Sequence, residues 1–151
     1  MSVTKSLLLL KEQFANKIVI DENIEKQPEG NRGIYGLFVL KNGVEECAYI
    51  GKSEIVSSRI AKHLYRIIDG EHGVSKLNAA FIDEDSKIVC KFLESVKYEF
   101  DNYYKDAQRL AGRECWWIDE KQKSGECLEQ VPEGKRPSID WWNSQKRMYG
   151  K

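Results

Sequence analysis

Five side chains that can bind anions or transfer protons lie within about thirty residues of this chain. They are two phenols, an ammonium group, a guanidinium and an imidazole: Tyr35, Tyr49, Lys52, Arg59 and His63. A guanidinium presents a planar fork of donors that suits phosphate and carboxylate groups, and phenol and imidazole groups can accept or pass on a proton. What they can do together depends on the elements that position them.

The two tyrosines fall in a predicted β-hairpin. Two apolar runs, 33–40 and 48–52, flank the turn signal Asn42-Gly43. With a two-residue turn, and side chains that alternate along each strand, Tyr35 and Tyr49 would point to opposite faces. A three-residue loop shifts the register by one residue, and the two rings then share a face. The hairpin therefore needs an odd-numbered loop if both tyrosines belong to one site.

Two helical patterns carry the other candidates. Apolar residues recur at helical spacing over 53–68, and Arg59 and His63 lie one turn apart beside that apolar stripe. The longest pattern runs over 98–123 and is expected to break near Gly112. Glu114 is the only charged residue on its apolar face. Buried carboxylates are rare unless they are paired or bind a metal, so a salt bridge to Arg59 or another base and a metal site are equal alternatives.

The remaining elements are shorter. A helix is predicted over 6–14, a short strand over 17–20, a further helical turn over 75–80 and a third long strand over 87–93. We expect one domain over 1–151, because this length is typical of a single hydrophobic core. Within it, 1–30 forms a helix and lead-in, 31–123 the core, and 124–151 a tail that docks on the core.

Composition limits the classes of function. With 41% hydrophobic and 32% charged residues and no long apolar run, we predict a cytoplasmic protein without a membrane partner. The formal net charge is zero, so nucleic-acid binding would have to use a local basic patch. The four cysteines form no Cys-x-x-Cys pair, and we expect reduced thiols. Neither they nor His72 are given a function.

With these residues in hand, the chain resembles the GIY-YIG nuclease superfamily. The tripeptides Gly33-Ile34-Tyr35 and Tyr49-Ile50-Gly51 are both complete, and Lys52, Arg59 and Glu114 follow in the family's order. The resemblance covers roughly 33–118. It implies an α+β fold in which a small three-stranded antiparallel sheet, the β-hairpin plus a third strand, is flanked by helices, and the predicted elements agree with that.

The resemblance also implies a function. Family members are endonucleases that hydrolyse phosphodiester bonds in DNA with one divalent cation, Mg²⁺ or Mn²⁺. Glu114 matches the metal-binding glutamate and Arg59 the helix arginine, which would bind phosphate. Tyr35 and Tyr49 match the two site tyrosines. Among the candidate site residues, Lys52 is the nearest cation in sequence that could lower the pKa of Tyr35.

Two roles stay open within this resemblance. His63 matches the histidine of some restriction-type members, and either it or Tyr35 would be the general base. The family's asparagine corresponds to Asn143, with Asn102 as the second choice. The length fits a compact phage, mobile-element or restriction enzyme, as a monomer or homodimer. The alternative is a catalytically inactive module on the same fold that binds nucleic acid or protein.

Overall fold

A four-stranded mixed sheet forms the centre of the fold, with helices on both faces. The computed structural model describes residues 5–25, 32–127 and 129–130. In chain order the elements are α1 (Lys5–Gln13), β1 (Ile18–Ile20), α2 (Glu22–Glu25), β2 (Gly33–Lys41), β3 (Val44–Ser53), α3 (Val56–Ile68), α4 (Ser75–Ile82), β4 (Ser86–Ser95) and α5 (Tyr103–Lys123). The predicted α+β class is confirmed.

The predicted three-stranded antiparallel sheet is wrong in one respect. The order of strands is β1-β4-β2-β3, and β1 adds a fourth strand that runs parallel to β4, with Ile18 opposite Ile88. The three residues of β1 alternate between buried and exposed, so they bury two isoleucines beside β4. A segment this short gains its stability from the neighbouring strand, and its sequence does not indicate which strand that is.

The hairpin uses a two-residue turn, so the expectation of an odd-numbered loop is wrong. Asn42 and Gly43 have φ angles of 54° and 78°, and Lys41 pairs with Val44. Positive φ at both central residues suits the type I′ turn, whose twist matches that of the flanking strands. The one-residue shift comes from a β-bulge at Ala48 instead, because Leu37 pairs with Tyr49 whereas Phe38 pairs with Cys47.

The helices divide between the two faces of the sheet. On one face, α3 packs through Ile60 and Leu64 against Leu37 of β2. On the other face, α5 packs through Leu110 and Ile118 against β2 and β3. Since β3 is an edge strand, side chains from both helices can meet beyond that edge.

The long C-terminal helix is continuous, contrary to the predicted break near Gly112. It starts at Tyr103, after Asn102, whose side chain accepts a hydrogen bond from the Lys105 backbone N–H. A Cβ atom at Gly112 would meet nothing within 4 Å, so this glycine only lowers helix propensity and does not end the helix. Asn102 is therefore a helix cap.

Part of the predicted tail lies against the exposed edge of β3. The Cys127 N–H donates to the Cys47 carbonyl over 3.0 Å, and the Gln130 side chain accepts from the Ile50 N–H over 2.9 Å. The rest of the tail lies outside the described residues. No helix in the described part of the chain is long and apolar enough to cross a bilayer.

Candidate functional site

The bulge at Ala48 places both tyrosines on the face of the sheet that α3 covers. The ring centroids of Tyr35 and Tyr49 are 6.3 Å apart, and both rings approach His63 on α3. Tyr35 pairs with Gly51 across the hairpin. The two tyrosines of the sequence prediction therefore meet, as diagonal neighbours on adjacent strands.

A surface cavity of about 330 Å³ opens beside these rings at the edge of β3. Tyr49 of β3, Arg59 and His63 of α3, and Glu114 of α5 line it. The lining also includes Lys62, Arg66, His72, Gly73, Val74, Glu129 and Gln130. Four predicted site residues from three separate elements thus share one cavity.

Two described site candidates, Tyr35 and Lys52, do not line the cavity, and Tyr35 lies behind its wall. Its side chain is fully buried, at 0% exposure, and it does not line the cavity. Its hydroxyl is 2.6 Å from Nε2 of His63. Tyr35 is therefore linked to the cavity indirectly, through its contacts with His63 and Tyr49.

A chain of hydrogen bonds continues from His63 into the loop after α3. Nδ1 of His63 is 2.8 Å from Nε2 of His72, and the Val74 backbone N–H donates to Nδ1 of His72 over 3.0 Å. Both histidines are buried. His72, to which the sequence prediction assigns no function, is the functional candidate that the prediction missed. Turn signals at Asp69-Gly70 and Gly73 were visible, but they did not show that the loop returns to His63.

The backbone donor at Val74 decides the direction of every bond in this chain. Since Nδ1 of His72 accepts a proton, a neutral His72 carries its own proton on Nε2 and donates it to Nδ1 of His63. His63 must then carry its proton on Nε2 and donate it to the Tyr35 hydroxyl oxygen. Both nitrogens of His63 are engaged, so His63 has no free lone pair for a substrate.

Burial keeps the titratable groups of this cluster neutral. It raises the pKa of both tyrosines above the ordinary value near 10, while the nearby Arg59 guanidinium opposes that rise. Burial, His72 and the cations of α3 lower the pKa of His63 to about 3. The cation that favours the phenolate of Tyr35 is thus Arg59, and the expectation that Lys52 would do so is not supported.

Lys52 instead favours the ionised form of the Glu114 carboxylate. Alternation along β3 places Lys52 on the face that α5 covers, opposite the face of Tyr49. Burial raises the pKa of Glu114, and the Lys52 ammonium and backbone N–H partly oppose that shift. Within the described residues, Glu114 takes part in no salt bridge, so the predicted alternative of an ion pair to Arg59 is not found.

The donor set at Glu114 fits a hard divalent cation that retains water. No cluster of three or more His, Cys, Asp or Glu side chains in the described ranges could enclose a metal. Two carboxylates line the cavity, and the Glu129 carboxylate already accepts hydrogen bonds from Ser75 and from the Lys76 backbone N–H, so Glu114 is the better candidate for a cation ligand. Mg²⁺ is commonly held by one or two carboxylates, several waters and the substrate's phosphate oxygens. A cavity of this volume leaves room for those additional ligands.

Comparison with protein-family models, with curated proteins and with solved structures found no match for this chain. The resemblance therefore rests on the sequence motifs named above. Asn143, the remaining predicted site residue, lies outside the described residues.

Position 51 has no room for a side chain, because the Tyr35 ring lies against the backbone of Gly51. A Cβ atom at this position would meet the Tyr35 hydroxyl oxygen at 2.3 Å and Cζ at 2.4 Å. We expect Gly51→Ala to lower the free energy of unfolding by about 1–3 kcal/mol, because the buried ring must move. Denaturant unfolding measures this. Gly112→Ala, where a Cβ meets nothing, is the matched control and should gain up to about 1 kcal/mol. Equal stability of the two variants would contradict the contact.

The neutral histidines predict how stability depends on pH. The pKa of His63 is lowered to about 3 and that of His72 is also lowered, whereas both titrate near 6.5 in the unfolded chain. The unfolded state therefore binds more protons below pH 6.5. The stabilisation is complete above pH 6.5 and is lost as the pH falls towards the pKa of folded His63, with a slope approaching about 1.4 kcal/mol per pH unit from His63 and a further contribution of the same sign from His72.

Denaturant unfolding between pH 7.5 and 5 measures that slope before most carboxylates titrate. His72→Gln, which removes one of the two groups, should show a shallower slope over the same range. A free energy of unfolding that does not change between pH 6.5 and 5 would show that the histidines are not buried as neutral groups.

Proposed function

We propose that this chain is a metal-dependent DNA endonuclease of the GIY-YIG type, which hydrolyses phosphodiester bonds with one divalent cation. One observation carries the proposal: a single cavity gathers a phenol, a guanidinium, an imidazole and a carboxylate from β3, α3 and α5. Phosphodiester hydrolysis requires an activated water, positive charge beside the phosphate and stabilisation of the leaving oxygen. The cavity has a candidate for each.

Arg59 would bind the scissile phosphate. Its guanidinium offers paired donors to phosphate oxygens, which a lysine cannot reproduce. Lys62 and Arg66 follow on the same helix and line the same cavity, so α3 presents three cations along it. This local patch would bind the DNA backbone although the whole chain has no net charge.

Glu114 would hold the cation, Mg²⁺ or Mn²⁺. When bound, the cation would neutralise charge on the phosphoryl oxygen and on the leaving oxygen. Lys52, beside Glu114, helps to keep the carboxylate ionised and thus able to bind a cation. Metal binding should accordingly weaken in acid, as Glu114 becomes protonated.

Tyr49 is the group best placed to take a proton from the attacking water, as a phenolate that would first have released its own proton to the solvent in the cavity. It lines the cavity, whereas Tyr35 is fully buried and His63 has both ring nitrogens engaged. The Arg59 guanidinium and the Tyr35 hydroxyl both favour the phenolate form of Tyr49, against the effect of burial on its pKa. Tyr35 and His63 would then support Tyr49 from behind the cavity wall.

Incubation of the purified protein with supercoiled plasmid and with defined DNA duplexes tests the proposal. We expect nicked or linear product with Mg²⁺ or Mn²⁺, and intact plasmid when EDTA is added. Retarded DNA without any cut product would favour the inactive binding module. Cleavage that persists in EDTA would contradict a metal-dependent mechanism.

A further inference from the structure

We propose that His72 is a positioning residue of this site, which fixes the ring nitrogen on which His63 carries its proton and so directs that proton at Tyr35. The hydrogen bonds themselves do not depend on the activity. The consequence for cleavage rests on the proposed function, and the experiment below separates the two.

The chain of hydrogen bonds starts at the backbone N–H of Val74, which can only donate. A backbone N–H is always a donor, so Val74 holds Nδ1 of His72 as an acceptor whatever occurs in the cavity. The His72 backbone is held as well, because its N–H donates to Oδ1 of Asn78 over 3.1 Å and its carbonyl accepts from Nδ2 of Asn78 over 2.8 Å. The ring of His72 is therefore fixed in both place and tautomer.

Without a donor at position 72, His63 could adopt either neutral tautomer. A neutral imidazole can carry its proton on either nitrogen, and the Tyr35 hydroxyl can donate or accept. If Nδ1 of His63 carried the proton, Nε2 would accept from Tyr35, and the Tyr35 proton would point away from Tyr49. The donor at His72 excludes that arrangement, because two N–H groups cannot face each other over 2.8 Å.

The direction of the chain matters for Tyr49. With His63 donating to Tyr35, the Tyr35 proton remains available to the Tyr49 oxygen and favours its phenolate. With the chain reversed, Tyr49 would lose that donor and keep only Arg59. His72 would thus change the rate of the chemical step through its hydrogen bond to His63 and the bond from His63 to Tyr35.

Two substitutions of matched shape separate donor from acceptor at this position. His72→Gln has an amide nitrogen that can still donate to Nδ1 of His63. His72→Glu has a carboxylate in the same place, which can only accept at neutral pH and therefore draws a proton onto Nδ1 of His63. Both variants should retain the dispersed NMR spectrum of the folded chain.

Long-range ¹H–¹⁵N NMR spectra of the histidine rings measure the tautomers directly. We expect His63 to be protonated on Nε2 and unprotonated on Nδ1 in the wild type and in His72→Gln, and to be protonated on Nδ1 in His72→Glu. An unprotonated Nε2 on His63 in the wild type, or unchanged His63 signals in His72→Glu, would overturn the proposal. This result is independent of whether the protein cuts DNA.

Cleavage kinetics then test the catalytic consequence. We expect kcat of His72→Glu to fall by about 10- to 100-fold with KM nearly unchanged, and His72→Gln to stay within about threefold of the wild type. Equal losses in both variants would mean that His72 only supports the fold, which overturns the positioning role. Wild-type protein with the expected tautomers and no cleavage would contradict the proposed endonuclease and leave the control of His63 by His72 intact.

Discussion

Replacement of Glu114 by glutamine is expected to abolish metal-dependent DNA cleavage, with a loss of about 10³-fold or more. Glutamine keeps the shape of the side chain but removes the negative charge that would hold the cation. Glu114 is the carboxylate through which α5 reaches the cavity, and in the described part of the chain it forms no salt bridge that the substitution would break. Plasmid cleavage with Mn²⁺ measures the loss, and titration calorimetry with Mn²⁺ should show weaker binding.

Glu120→Gln is the matched control on the same helix. Glu120 pairs with Lys123 at the surface, where solvent screening leaves an ion pair of this kind with little effect on stability. Its removal should leave both cleavage and Mn²⁺ binding unchanged. If Glu114→Gln still cleaved DNA at the wild-type rate, the cation would have to be held elsewhere and the proposed site would be wrong.

Removal of the Tyr49 hydroxyl is the second large effect. We expect Tyr49→Phe to lower kcat by about 10²- to 10⁴-fold with little change in KM, because general base catalysis typically contributes that much. Phenylalanine keeps the ring contacts with Tyr35, His63 and His72, so the cavity should keep its shape. Single-turnover cleavage of a defined duplex measures the chemical step.

Two further phenol deletions make the result specific. Tyr65→Phe removes a hydroxyl from the exposed side of α3, outside the cavity lining, and should have no effect on cleavage. Tyr35→Phe removes a hydroxyl that is fully buried behind the cavity, and its loss should be the smaller of the two. A larger loss in Tyr35→Phe than in Tyr49→Phe would identify Tyr35 as the base instead.

The hairpin shows which features local sequence predicts and which it does not. Asn42-Gly43 correctly located the turn, because this dipeptide tolerates positive φ at both positions. The register of the hairpin was predicted wrongly because it depends on the bulge at Ala48, and no residue type in the sequence indicates that bulge. The bulged strand β3 packs against α3 and α5 as well as against β2, and contacts with those helices are not a property of the hairpin alone.

Lys52 also shows that nearness in sequence does not predict which side chains interact. Proximity in sequence suggested that it would act on the tyrosines, but strand alternation places it on the opposite face, beside Glu114. Arg59 is the cation near the tyrosines, from an element that begins after the hairpin ends. Electrostatic partners are chosen by distance in space, and on a strand the next residue always points away.

The sequence by itself determined the α+β class, the hairpin and helices that carry the candidate residues, and the types of side chain available to the candidate site. These follow from periodicity, turn chemistry and residue type, which act over a few residues. The tertiary structure alone decided which side chains meet. It brought Glu114 beside Tyr49 across the edge of β3, placed Tyr35 behind the cavity, and returned His72 to His63. Such contacts join residues from separate elements, and their energies depend on how those elements pack.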